Sequence, residues 1–492
     1  MPLSLRQTVG LGAVLGLCTL LALPGVLSGL GGDARLTLVV FTLATYTWIA
    51  TSVDDTYVAL GAGLALTATG VISSETLFAT LGDETVWLLI CAFVLAAAVT
   101  KTGLAGRAAA FLVGGAGTVR QLVHLTTAGL VVTAFAVPAT SGRAALALPV
   151  FLALAKALGP VRAISAGPGQ DPAGRTRLVV MLALLFPTVI LLSAVATLIG
   201  AGAHLITVGV LWEQTGEELS FVTWLILGLP LAVVSSHLAA ELVLLTTTRR
   251  ADRKRPVRIT VQQIQEHSDS PVEGPLTQPE ARCLLLLGTV VVLWCSEPLH
   301  GVSPALVALI GAVVAASPAL GTVGLKDGLR TVPWPLLLFM AATMAMGIAL
   351  SESGAADWLV GWVPGGASMP PWMFLAGVVV ISTVAHLALQ SRSARSSVLV
   401  PLVVAAAISA GVNPVAAAFA STAAAGFCHT LPASAKPVAL FADLPGGTPT
   451  YTPRDLLRLS AVLAPLTAAL VLLFALAVWP LLGVPVQLET QP

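Results

Sequence analysis

A chain of 492 residues in which 57% are hydrophobic and only 10% charged cannot present the surface of a water-soluble protein, whose charged share is about 25%. The formal net charge of +1 leaves no basic footprint for nucleic acid, and the five cysteines (Cys18, Cys91, Cys283, Cys295, Cys428) sit in apolar runs without metal-ligand or disulfide spacing. What remains is an integral protein of a lipid bilayer.

Apolar stretches of roughly 17–25 residues, the length that crosses a ~30 Å hydrocarbon core, recur along the chain. The first, at 10–29, follows one arginine and has no small-residue cleavage site, so 1–35 is expected to hold a first transmembrane helix rather than a removed signal. Residues 36–247 then carry spans at 36–52, 57–73 and 86–100, a broken pair at 122–158, and spans at 178–212 and 222–247. A polar linker, 248–281, separates this half from 282–482, which has spans at 283–296, 303–317 and 333–350, a broken pair at 372–410, and spans at 413–442 and 457–482. Residues 483–492 form a tail. The pattern predicts an all-α polytopic membrane protein of about eleven transmembrane helices, two re-entrant helical hairpins and two broken helices.

Lysine and arginine near span ends favour the cytoplasm, so orientation follows from where they fall. With the N-terminus inside and each broken pair entering and leaving on one side, nineteen of the 24 cations are cytoplasmic and only Arg35 is outside. The linker is then cytoplasmic, the C-terminus outside, and the expected location a bacterial inner (plasma) membrane. The halves also repeat in spacing: Gly103 to Pro149 is 46 residues and Gly354 to Pro401 is 47, and Thr140-Ser141-Gly142-Arg143 corresponds to Arg392-Ser393-Ala394-Arg395. An odd number of spans between the copies makes the repeat inverted, the arrangement that holds substrate near the bilayer midplane at the tips of discontinuous helices.

Four cations remain at membrane depth: Arg143, Arg392, Arg395 and Lys436. A charge at the bilayer centre costs about 2.5–3.5 kcal/mol or more, so it needs a partner or a wet cavity. Among the 23 acidic residues only Glu241 lies inside an apolar span. Too few acids neutralise the tips, while half-helix N-termini add positive partial charge there, so the site is expected to attract anions. A forked guanidinium suits a carboxylate, sulfate or phosphate, which makes the repeat-related Arg143 and Arg395 the first choices. The competing reading makes such cations structural braces. His204, His386 and His429 lie near the breaks as proton carriers or packing residues. No cofactor or metal motif is found, and an enzyme has little support. A cation/proton antiporter would need acids at the breaks, and an anion channel stays open as an alternative.

Several segments resemble the divalent anion:sodium symporters, which carry dicarboxylates, citrate or sulfate: Leu81–Leu89 running on to Lys101–Arg107, then Ala196–Ile206, Ser220–Pro230, Gly411–Pro414 and Leu431–Pro437. The resemblance implies a homodimer that moves a small anionic substrate by an elevator-like alternation. It also implies a Ser-Asn-Thr signature at each hairpin tip, where this chain has Ala139-Thr140-Ser141 and Ser391-Arg392-Ser393. The asparagine of each helix break is likewise missing, with His204 in one place and Val438 beside Lys436 in the other. On this reading Thr140, Ser141, Gly142, Arg143, Ser391, Arg392, Ser393, Arg395 and Lys436 bind substrate, while Ala139, Thr197, Gly200, His204 and Ala435 handle a coupling ion or proton. A guanidinium beside a sodium site repels the ion. Sodium coupling is therefore left open, and Arg392 or Arg395 is expected to stand in for the cation of a sodium-independent exchanger, uniporter or proton-coupled carrier.

Overall fold

The computed structural model describes residues 5–23, 29–104, 107–108, 114–158, 172–254, 256–257, 274–361, 369–444 and 448–488. Among them the only strand-like pairings are two isolated bridges, Thr118 with Pro256 and Val412 with Gln487. Helices satisfy their backbone groups within one segment, which a bilayer demands. Among the described residues eight helices are long and apolar enough to cross a membrane, and shorter apolar helices lie at Gly12–Ala22, Pro304–Ala316, Pro371–Leu387 and Pro414–Ala424. The chain is an all-α polytopic membrane protein. Of the linker expected at 248–281, residues 255 and 258–273 lie outside the described residues.

The two halves match element by element. Asp55–Ala68, Ser74–Ala79 and Glu84–Thr102 correspond to Pro304–Ala316, Leu325–Arg330 and Trp334–Glu352. The last helix of each triplet has 19 residues and is followed by a glycine in the left-handed region, Gly103 at φ 73° and Gly354 at φ 75°. A side chain there would be strained, whereas glycine ends the helix freely. The triplets exchange partners: Pro304–Ala316 packs on Glu84–Thr102, and Asp55–Ala68 on Trp334–Glu352. Such reciprocal packing is what an inverted repeat produces.

Each half continues with a hairpin and a broken helix. Hairpin 1 joins Val119–Ala136 to Thr140–Leu158, and hairpin 2 joins Pro371–Val384, through a 3-10 turn at Ala385–Leu387, to Arg392–Ser409. Break 1 lies between Pro172–Leu192 and Gly202–Thr215; break 2 lies between Pro414–Ala424 and Lys436–Ala442. Their backbones coincide. Thr197 (φ −134°, ψ 153°) precedes a 3-10 turn that ends at extended Ala201 (−157°, 147°), and Leu431 (−126°, 150°) precedes one that ends at Ala435 (−158°, 147°). Phe221–Thr247 and Pro453–Leu473 close the halves and pack on each other.

Burial separates the centre from the lipid face. The Thr176–Ala196 span is 94% buried inside the protein, against 22% for Gln278–Cys295 and 33% for Pro453–Leu481. Around the first of these, Phe151, Phe186 and Phe441 bring hairpin 1, the arm before break 1 and the helix after break 2 into ring contact at 5.3–5.7 Å. A second aromatic cluster, Trp224, Phe419 and Trp479, ties the two closing helices to the arm before break 2.

Two expectations shift. The span read at 57–73 starts earlier, at Asp55, because the Asp54 carboxylate caps it by accepting from the backbone N–H groups of Thr56 (2.9 Å) and Tyr57 (3.4 Å). Glu241 does not stand alone: it pairs with Arg120 (2.7 Å) and His124 (2.6 Å) on hairpin 1.

Candidate functional site

Both hairpin tips and both breaks meet at one cavity of about 570 Å³. Four helices begin there: Thr140–Leu158, Gly202–Thr215, Arg392–Ser409 and Lys436–Ala442. Their free N–H groups point positive partial charge at the same volume. Hairpin 1 contributes Ala139, Thr140, Ser141 and Gly142. Hairpin 2 contributes Gln390, Ser391, Arg392, Ser393 and Arg395. Ala201–Ala203 and Ala433–Pro437 come from the breaks, and Asp55, Phe93, Thr331, Pro333 and Leu336 from the flanking helices.

The tips are shaped by local backbone. Ala139 has φ 69°, the one non-glycine residue at positive φ among the described residues, and it turns the chain into Thr140–Leu158. At the equivalent place Ser391 is extended (φ −72°, ψ 124°), and its hydroxyl accepts from the Ala394 N–H at 3.3 Å. Break 1 depends on close backbone approach: a Cβ on Gly200 would fall 2.1 Å from the Ala194 carbonyl oxygen, and one on Gly228 2.1 Å from that of Val195. Only glycine fits either position.

The four intramembrane cations have different surroundings. Arg143 is fully buried and does not line the cavity. Its Nε donates to Thr133 Oγ1 (3.0 Å), Nη1 to the Ile190 carbonyl (3.0 Å), and Nη2 to the Leu130 carbonyl and Ser193 Oγ (both 2.6 Å). The guanidinium fills a cage of oxygens between hairpin 1 and break 1. This corrects its choice as a substrate contact: each of its three guanidinium nitrogens already donates to the protein. Arg395, its counterpart in hairpin 2, is equally buried, yet none of its three guanidinium nitrogens has a partner. Arg392 is partly buried, but its three guanidinium nitrogens are likewise buried without a partner, and the group lies against Gly426 so closely that a Cβ there would be 2.4 Å from Nη2. Lys436 is exposed to the cavity. A buried charge without a hydrogen bond costs several kcal/mol, so the two bare guanidinium groups on a cavity wall call for an anionic ligand.

The residues assigned to ion or proton coupling divide. Ala139 and Ala435 line the cavity; Thr197, Gly200 and His204 sit behind it in break 1. The Thr197 hydroxyl donates to the Ala134 carbonyl at 2.8 Å. His204 is fully buried, donates from Nδ1 to the Thr197 carbonyl at 3.0 Å and stacks on Trp224 at 4.7 Å, leaving Nε2 without a partner. His386 and His429 also stand off the cavity. Thr430 donates to His386 Nε2 at 2.7 Å and takes a hydrogen bond from Ser460 at 2.7 Å, so His386 ties hairpin 2 and break 2 to the last helix. Asp55 and Gly426 were missed in the sequence. The only signal for Asp55 was an Asp-Asp pair ahead of an apolar run, and for Gly426 there was none.

An inverted-repeat membrane transporter is the class that this fold and cavity define. The sodium:sulfate symporter transmembrane-region profile matches residues 6–484, and the chain belongs to that family. A membrane protein of Cupriavidus necator is 25% identical over 405 residues, covering 80% of this chain and 74% of the other. The sodium-dependent dicarboxylate transporter SdcS of Staphylococcus saprophyticus is 23% identical over 427 residues, covering 82% and 79%. In fold the chain is similar to the crystal structure of the Alcanivorax borkumensis YdaH transporter, with a TM-score of 0.51 at 15% identity over 92% of this chain and 99% of that one.

Proposed function

We propose that this protein is a sodium-independent secondary carrier of small dianions, of dicarboxylate or sulfate type, working by alternating access with an elevator-like motion of the hairpins and breaks. The observation that carries the reading is the pair of buried, unpartnered guanidinium groups of Arg392 and Arg395 beside Lys436, in a cavity where four helices begin. A volume of about 570 Å³ suits a small ligand. Ser391, Ser393, Thr140 and Ser141 supply hydroxyls, and Gly142 lets the backbone approach.

Sodium independence is supported by Arg143 rather than by Arg392 or Arg395. Carbonyl and hydroxyl oxygens are the ligands a hard cation takes, and here they surround a tethered guanidinium. Arg392 and Arg395 remain free for substrate. A homodimer is carried over from the family as part of this reading.

Equilibrium binding of radiolabelled succinate and sulfate to the purified protein tests the site. Arg395→Gln and Arg392→Gln should each weaken binding by about tenfold or more, the scale of a lost charge-assisted hydrogen bond. Unchanged affinity in both variants would remove the cavity from the account.

A further inference from the structure

Asp55 is a carboxylate in a site that otherwise collects cations. It lines the cavity at the start of Asp55–Ala68, together with the hairpin tips and breaks. Its backbone is held without any ligand: the Trp48 Nε1–H donates to the Asp55 carbonyl at 3.2 Å, and the Thr56 hydroxyl donates to the Pro335 carbonyl at 3.0 Å. A carboxylate here repels the anion that the rest of the site attracts, a cost that a site selected only for tight binding avoids.

We propose that Asp55 is a specificity-determining residue that sets the charge of the anion the cavity accepts. Arg392, Arg395 and Lys436 bring three positive charges and Asp55 withdraws one, so the lining carries two net positive charges. A dianion neutralises it. A trianion leaves surplus negative charge facing Asp55, and a monoanion leaves a guanidinium uncompensated. The inference rests on the anion-carrier reading and deepens it by naming what sorts anions by charge.

The test is competition binding on the purified full-length protein, with succinate and sulfate as dianions and citrate, at a pH where all three carboxyls are ionised, as the trianion. Asp55→Asn and Asp55→Ser should each raise the citrate-to-succinate affinity ratio by roughly tenfold or more, the effect of deleting one like charge a few ångströms away. Asp55→Glu should keep the wild-type ratio, which a role in shape alone does not predict, because Asn preserves the side-chain size and Glu does not. An unchanged ratio in Asn and Ser, or a citrate preference in Glu, overturns the assignment of Asp55 while leaving the anion site standing. A wild-type protein that binds none of the three anions overturns the carrier reading and the assignment with it.

Discussion

Arg143 and Arg395 stand at the same place in the two hairpins, but one guanidinium makes four hydrogen bonds and the other has no partner. Truncating them should therefore shift stability in opposite directions. Arg143→Gln strands buried carbonyls and hydroxyls and should cost roughly 3 kcal/mol or more, since each orphaned group costs about 1–3 kcal/mol. Arg395→Met removes an uncompensated buried charge and should stabilise the anion-free protein by about 1–4 kcal/mol. Thermal unfolding in detergent reads both; a destabilised Arg395→Met of the same size as Arg143→Gln would mean that Arg395 has partners in the folded protein. Gly426 makes a further test at this scale. Its replacement by Ala puts a methyl group where the Arg392 guanidinium lies, so anion affinity should fall at least tenfold, matching Arg392→Gln, while wild-type affinity would show that the guanidinium has room elsewhere.

At the scale of elements, the long spans and both discontinuities were legible because hydropathy, Gly103 and Gly354, and the recurring Pro149 and Pro401 are written in the chain. The equivalence of His204 and Val438 was legible too, since each lies three residues beyond the matching extended residues Ala201 and Ala435. Partners were not. A sequence records that Arg143 is charged, but not that Thr133 and Ser193, 10 and 50 residues away, fold back to accept from it. Asp55 was hidden for a related reason, because its role depends on a helix starting two residues before the apolar run. Outside the membrane, one ion pair joins elements in a way that pH can probe. Arg177 Nε and Nη2 bind the two Asp252 oxygens at 3.1 and 3.2 Å, which links the arm before break 1 to the short Arg250–Arg253 helix. Burial pushes the Asp252 carboxyl up, but hydrogen bonds from Arg177 and the Arg249 N–H outweigh it and hold it below the usual carboxylate range. The stabilisation is therefore complete above the ordinary aspartate pKa and is lost as the pH falls through the lower, folded one. Asp252→Asn should melt earlier than wild type at neutral pH and converge with it in acid; a constant gap across that range would rule the clamp out.

For the whole molecule, the repeat is symmetric in backbone and asymmetric in charge. Hairpin 1 and break 1 enclose a cation supplied by the chain, while hairpin 2 buries two guanidinium groups without partners beside the cavity and break 2 exposes Lys436 to it. A carrier whose site holds uncompensated positive charge should cross the bilayer most readily when that charge is neutralised, which favours exchange over net flux. The most direct measurement is uptake of radiolabelled succinate and sulfate into proteoliposomes of the purified protein, with and without a sodium gradient and with each anion preloaded inside. Sodium-independent uptake that internal anion accelerates is the result expected of this carrier; uptake that runs only on inward sodium, or no uptake of either anion, would contradict it.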